Sequence, residues 1–289
     1  MEIGIGLAVA VALMTNLASL LKHRGCQGAH PVRLNRPLQS IRGLAGSRWF
    51  LAGWGLAALA WMVHVAALSM APISLVQAVL AGGAVTLAVI AQRLFGDRVE
   101  RRQWFAVALG AAGLALLAIT LPGIHGTHSS FSVAAIASFE GGLVLLAAAI
   151  AVGHRAGRFA RCGVPLAVLA GLLIALAGIA VKALTGASGG DWALFASLAP
   201  LALACGCLAQ YATVAALQSG DAIETIGLMG LVANATQILG GILVFGDPLS
   251  PSPVGLILQG TAFAMVCVSA LLMPSTRASM MPRALPEPA

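Results

Sequence analysis

The residues of this chain most able to do chemistry stand inside apolar runs: His64, Gln77, Glu140, Gln210, Tyr211, Asn234 and Gln237. A carboxyl such as Glu140 can carry a proton or hold a cationic group. Placing a charge at mid-bilayer costs on the order of 3 kcal/mol by insertion scales, so its presence there needs a reason. The plain alternative is a neutral acid bonded to a neighbouring helix. His64 can bind a solute or relay protons near neutral pH, or simply bridge two helices. Asn234 and Gln237, three residues apart, share a helix face with Gly230 and Gly241. Ser74, Gln77, Ala81, Ala84, Ala88 and Gln92 form a similar stripe. Such faces avoid lipid and line either a cavity or a close helix contact; both readings stay open. Gln210 and Tyr211, the latter the only tyrosine, add a further hydrogen-bonding pair.

Other polar signals are thin. His125 and His128 lack an adjacent acid and make no convincing metal site, and none is expected. Lys182 near a helix end is expected to snorkel to the interface. Cys26, Cys162, Cys205, Cys207 and Cys267 give an odd, scattered set with no disulfide framework. Cys205 and Cys207 point about 200° apart on a helix and read as packing residues. Gly4 and Gly6 do not continue into a dinucleotide fingerprint. There is no G-x-x-x-x-G-K-[ST] or H-E-x-x-H pattern. The expectation is therefore no cofactor, no nucleotide hydrolysis and no enzyme.

The elements that must position these side chains follow from composition. The chain has 289 residues, 60% hydrophobic and 9% charged, with a mean hydropathy of +0.96. A soluble domain is roughly 45–50% apolar and about 25% charged, so a soluble enzyme and a disordered chain are both excluded. The 34 glycines suit close helix packing in a membrane, and only 5% aromatic content argues against a girdled β-barrel. Nine runs of spanning length are expected: 2–21, 49–70, 72–94, 103–121, 132–152, 165–184, 196–217, 223–245 and 254–273. Turn chemistry separates several of them, as at Ala71-Pro72, Gly96-Asp97, Pro122-Gly123, Gly220-Asp221 and Gly246-Asp247-Pro248.

The net charge of +7 is a topology signal and not a nucleic-acid signal. Lys22, Arg24, Arg33, Arg36, Arg42 and Arg48 follow run 1. Arg93, Arg98, Arg101 and Arg102 follow run 3. Arg155, Arg158 and Arg161 follow run 5, and Arg277 and Arg283 lie in the tail. With nine spans all of these fall on one side, and only Lys182 falls toward the other. Basic residues gather in the cytoplasm, so the N-terminus is expected outside and the C-terminus inside, in the cell (inner) membrane. Run 1 has Glu2 instead of a positive n-region and no small-residue cleavage site, and reads as an uncleaved first helix.

Two segments resemble each other 149–150 residues apart. Ala66-Ala67-Leu68-Ser69-Met70-Ala71-Pro72 with Leu94-Phe95-Gly96-Asp97 matches Ala215-Ala216-Leu217-Gln218-Ser219-Gly220-Asp221 with Val244-Phe245-Gly246-Asp247. Runs 2 and 7 cross in opposite directions, so the repeats are inverted. Inverted repeats characterise transporters with a site near the midplane; a duplicated bundle without transport is the bland alternative.

From Trp49 to about Thr120 the chain resembles the drug/metabolite transporter superfamily, and most of all its nine-helix NIPA-like, magnesium-associated branch, close to EamA-like proteins. The resemblance is carried by a first helix with a basic loop, Ala71-Pro72 in a tight turn, and Phe95-Gly96-Asp97-Arg98-Val99. Arg102-Gln103-Trp104 then opens a helix containing Gly110 and Gly113. The resemblance implies a central cavity lined by helices 2, 3, 5, 7 and 8. Where the NIPA-like branch tends to carry an acid, one turn before His64, this chain has Trp61. Of its nine acidic residues only Glu140 lies near mid-span.

The resulting expectation is an all-α polytopic membrane protein with nine transmembrane helices in two inverted-topology units (4 + 5). Residues 1–121 form the first unit, 132–273 the second, and 274–289 a disordered cytoplasmic tail. The expected function is secondary transport of a small metabolite or drug-like solute by alternating access, with proton coupling through Glu140 as one mode. A Mg²⁺ transporter or channel and a lipid translocator stand as alternatives. The substrate-binding residues are the seven named at the outset. Expected partners are membrane lipid and a small solute or cation, with no nucleic acid, and a homodimer is compatible.

Overall fold

The computed structural model describes residues 2–26, 46–83, 90, 100–120, 131–157, 163–186, 192–220, 222–247 and 249–272. Every regular element among them is a helix: α1 Glu2–Cys26, α2 Arg48–Met70, α3 Ile73–Gly82, α4 Arg101–Thr120, α5 Val133–Arg155, α6 Gly163–Gly186, α7 Trp192–Ser219, α8 Ala222–Val244 and α9 Pro253–Leu272. Six of these (α1, α2, α5, α6, α7 and α8) are long and apolar enough to cross a membrane, which is compatible with a multi-pass membrane protein. The His125/His128 pair, Gly96-Asp97, Gln92, Cys162 and most of the basic loop residues lie outside the described residues.

Local chemistry sets the helix boundaries. The Ser47 hydroxyl accepts from Phe50 N at 3.4 Å and caps α2; that of Ser132 accepts from Ala135 N at 3.1 Å and caps α5. Pro253 opens α9, where its missing N–H costs nothing. Ala71 is extended (φ −145°, ψ 156°), as a residue before proline must be, and this breaks α2 from α3. Gly157 and Gly246 end α5 and α8 with φ of 69° and 63°, a left-handed conformation that suits glycine.

The surface is apolar where a soluble protein would be charged. Ile119, Leu145 and Leu203 are 81%, 73% and 70% exposed, whereas Lys182 and Gln77 are 0% exposed. Burial of polar groups beneath an apolar exterior is what a hydrocarbon solvent selects.

The main packing partners are α1 with α2, α6 with α7, α4 with α9, and α6 with α8; α3 packs on α8, α1 and α4, while α5 lies on α6 and α8. Glycines make these approaches close. A Cβ on Gly113 would sit 2.8 Å from the Ala262 carbonyl oxygen, and one on Gly171 2.7 Å from that of Met229. Ala8, Leu68, Ile73, Ile136, Ile179, Leu198 and Phe245 close one end of the bundle, near the Ala71-Pro72 turn. Phe131 meets Phe245 edge-to-face at 5.8 Å there.

Candidate functional site

The sealed end of the bundle contains two ionisable groups. The Lys182 Nζ donates to the carbonyls of Leu68 at 2.8 Å and Ala71 at 3.1 Å, the orphan acceptors at the C-terminus of α2. The Asp247 Oδ2 accepts from Ser74 N at 3.0 Å in the first turn of α3. A cation thus ends one helix and an anion starts the next, on either side of Ala71-Pro72, and the two charges are electrostatically coupled. Lys182 does not snorkel as expected. The α2 terminus offers it buried acceptors, and those hold the ammonium inside better than an apolar neighbourhood would.

Next to this seal, a cavity of about 250 Å³ runs between α1, α2 and α3 on one side and α6, α7 and α8 on the other. His64, Gln77, Gln210, Asn234 and Gln237 all line it, so five of the seven expected residues are brought together. The Gln77 Nε2 donates to Gln237 Oε1 at 3.0 Å and lies 3.5 Å from His64 Nε2. Gln237 in turn donates to its own helix at Ala233 O, 3.4 Å away. Gly178 of α6 admits this amide: a methyl group there would collide with Gln237 Oε1. Gln77 Oε1 and His64 Nδ1 are buried with no hydrogen-bond partner among the described residues. Such orphaned atoms are costly in an apolar medium and mark a place where a ligand or water can bind.

Glu140 and Tyr211 line neither this cavity nor its neighbour. Glu140 is buried on α5, with Oε1 unpartnered, and is electrostatically coupled to Cys205 of α7. Tyr211 is half-buried beside Gln210 on α7, and feels the charge of Arg155. Neighbours in sequence on a helix point about 100° apart, so Gln210 faces the cavity and Tyr211 does not.

Residues not singled out from sequence also contribute. Asn16 of α1 donates to the Gly83 carbonyl at 2.7 Å and lines the cavity with Thr15. Lys22, expected in a basic loop, is instead only 4% exposed. Its Nζ donates to Gln210 Oε1 at 3.4 Å, at the end of the cavity away from the seal. Compared with family models, curated proteins and solved structures, the chain matches none.

Proposed function

We propose that this chain is a secondary transporter of a small solute, built from two inverted units in the manner of the drug/metabolite transporter superfamily. The observation that carries the reading is the cavity between the two halves, lined by the fully buried Gln77, whose Oε1 has no hydrogen-bond partner among the described residues.

Helix pairing supports the two units. With α1–α4 laid on α6–α9, the α1–α2 contact corresponds to α6–α7, α1–α3 to α6–α8, and α3–α4 to α8–α9. The α2–α6 contact corresponds to α7–α1, while α3–α8 and α4–α9 map onto themselves. α5 is left over, as a 4 + 5 division requires. In this reading, residues 1–121 and 132–273 are the units, and the Lys182–Asp247 junction is the closed outer gate of a state open toward the cytoplasm. Substrate crosses when that junction opens and the Lys22 end closes. Without a nucleotide-binding motif, the driving force is a solute or proton gradient.

Among the described residues, Lys22 and His64 are the ionisable ones lining the cavity, and no carboxylate lines it. A hard divalent cation wants oxygen anions, so the lining favours an organic solute over Mg²⁺. The test is flux into proteoliposomes across a panel of metals, amino acids, organic anions and lipids. Saturable flux that Gln77→Leu abolishes supports the reading; flux indifferent to that substitution, or none above empty liposomes, contradicts it.

A further inference from the structure

A second cavity adjoins the first. It measures about 830 Å³ and lies between α2 and α7 over a floor of α6. Ala57, Trp61, His64, Ile174, Gln210 and Gln237 line both, so the two spaces share a wall. The first is the more polar of the two. It carries the Lys22 ammonium, five amides and an imidazole. The second is walled by Trp54, Met62, Val65, Val181, Leu184 and Leu203. Several of these residues, including Met62 and Leu203, are exposed on the outer surface, so the second space is a groove open along the side of the helix bundle.

We propose that cavity and groove form one composite site for an amphipathic anion. Its phosphate or carboxylate head occupies the polar cavity and its long apolar chain lies in the lateral groove. The proposal rests on the transport reading above and names its substrate class. Three observations carry it. Lys22 gives one of its three protons to Gln210, and no carboxylate is among the described residues that line the cavity with it, which leaves the ammonium available to an anionic oxygen. Gln77 Oε1 is a buried acceptor without a partner among the described residues, so the head also carries a donor such as a hydroxyl or amide N–H. The polar and the apolar space meet at shared residues that include Gln210 and Gln237. A wholly hydrophilic solute would leave the groove unused, whereas a cation would meet Lys22.

Cys207 lies exposed in the groove and supplies a direct readout. The full chain, with its other cysteines replaced, is placed in phosphatidylcholine vesicles, and the rate of Cys207 alkylation by an apolar maleimide is measured. Long-chain alkyl glycerol phosphate is expected to slow alkylation about tenfold. Glycerol phosphate alone, the uncharged alkyl glycerol and an alkyl trimethylammonium at equal membrane concentration are expected to slow it little. An N-alkanoyl serine arm separates carboxylate from phosphate recognition. Lys22→Gln should erase the advantage of the anion over the uncharged lipid, and Lys22→Arg should keep it, which separates charge recognition from folding. Equal protection by neutral and cationic chains, or none by either anion, overturns the proposal. Transport of a chainless solute without protection of Cys207 also overturns it, while leaving the transport reading intact. Protection by the long-chain anion with no flux of any solute sinks the transport reading and leaves the site standing.

Discussion

Lys182 shows what a residue's type and position leave undecided. A lysine one turn from a helix end looks the same whether it reaches out to the headgroups or turns inward. The deciding acceptor, the carbonyl of Ala71, is 111 residues away. Lys182→Met preserves length and apolar stem but leaves the Leu68 and Ala71 carbonyls and the Asp247 carboxylate without their cation. The expected cost is about 1–3 kcal/mol, read as a lower unfolding midpoint in detergent. A double variant with Asp247→Asn should lose less than the sum of the two single losses, because the groups are coupled. Polar residues inside apolar runs were legible as a set, and five of them do meet at the cavity. Glu140 carried the strongest sequence signal yet lies away from it, since rarity of an intramembrane acid reports cost and not location. Accordingly, Glu140→Gln should leave solute affinity within about twofold, whereas Gln77→Leu should weaken it about tenfold or more by isothermal titration.

Among the elements, helix existence was the easiest feature to read, because long apolar runs bounded by Gly, Pro and Asp leave few alternatives. Their ends were less legible. Run 1 was expected to stop at residue 21, but α1 continues to Cys26, carrying Lys22 into the cavity wall. The extra turn is stabilised by packing on α2: a Cβ on Gly53 would lie 2.8 Å from Lys22 Cγ and from the Ala18 carbonyl oxygen. Basic residues in sequence therefore marked the helix end without revealing that one of them turns inward. The small-residue stripes could not be divided into cavity and contact from sequence; the structure uses them for both. Gly178 is the sharpest case, since α6 approaches α8 there over the Gln237 amide. Gly178→Ala should displace Gln237, break its bond with Gln77 and reduce solute affinity more than it reduces stability. Comparing titration with thermal unfolding of the same variant checks this. Gly113→Leu, at the α4–α9 contact remote from the cavity, should do the reverse, costing about 1–3 kcal/mol through overpacking with affinity unchanged.

For the whole molecule, the nine-span, inverted arrangement is the proposal drawn from the charge distribution and the weak internal repeat; among the described residues six helices are long and apolar enough to cross a membrane. Sidedness has its own check. Single cysteines replacing Ser47 and Gly157 should react with impermeant reagents from one face of the membrane, and those replacing Ser132 and Ser252 from the other; all four reacting from the same face would contradict the alternation. The central claim, that the cavity opens to each side in turn, is tested most directly by a single cysteine at Asn234 in vesicles of uniform orientation, labelled from either side with an impermeant thiol reagent. The account predicts slow labelling from the Lys182–Asp247 side and faster labelling from the Lys22 side. Lys182→Met should shift both rates in opposite directions, raising the first and lowering the second. Labelling from one side only, with rates unmoved by Lys182→Met, would contradict it.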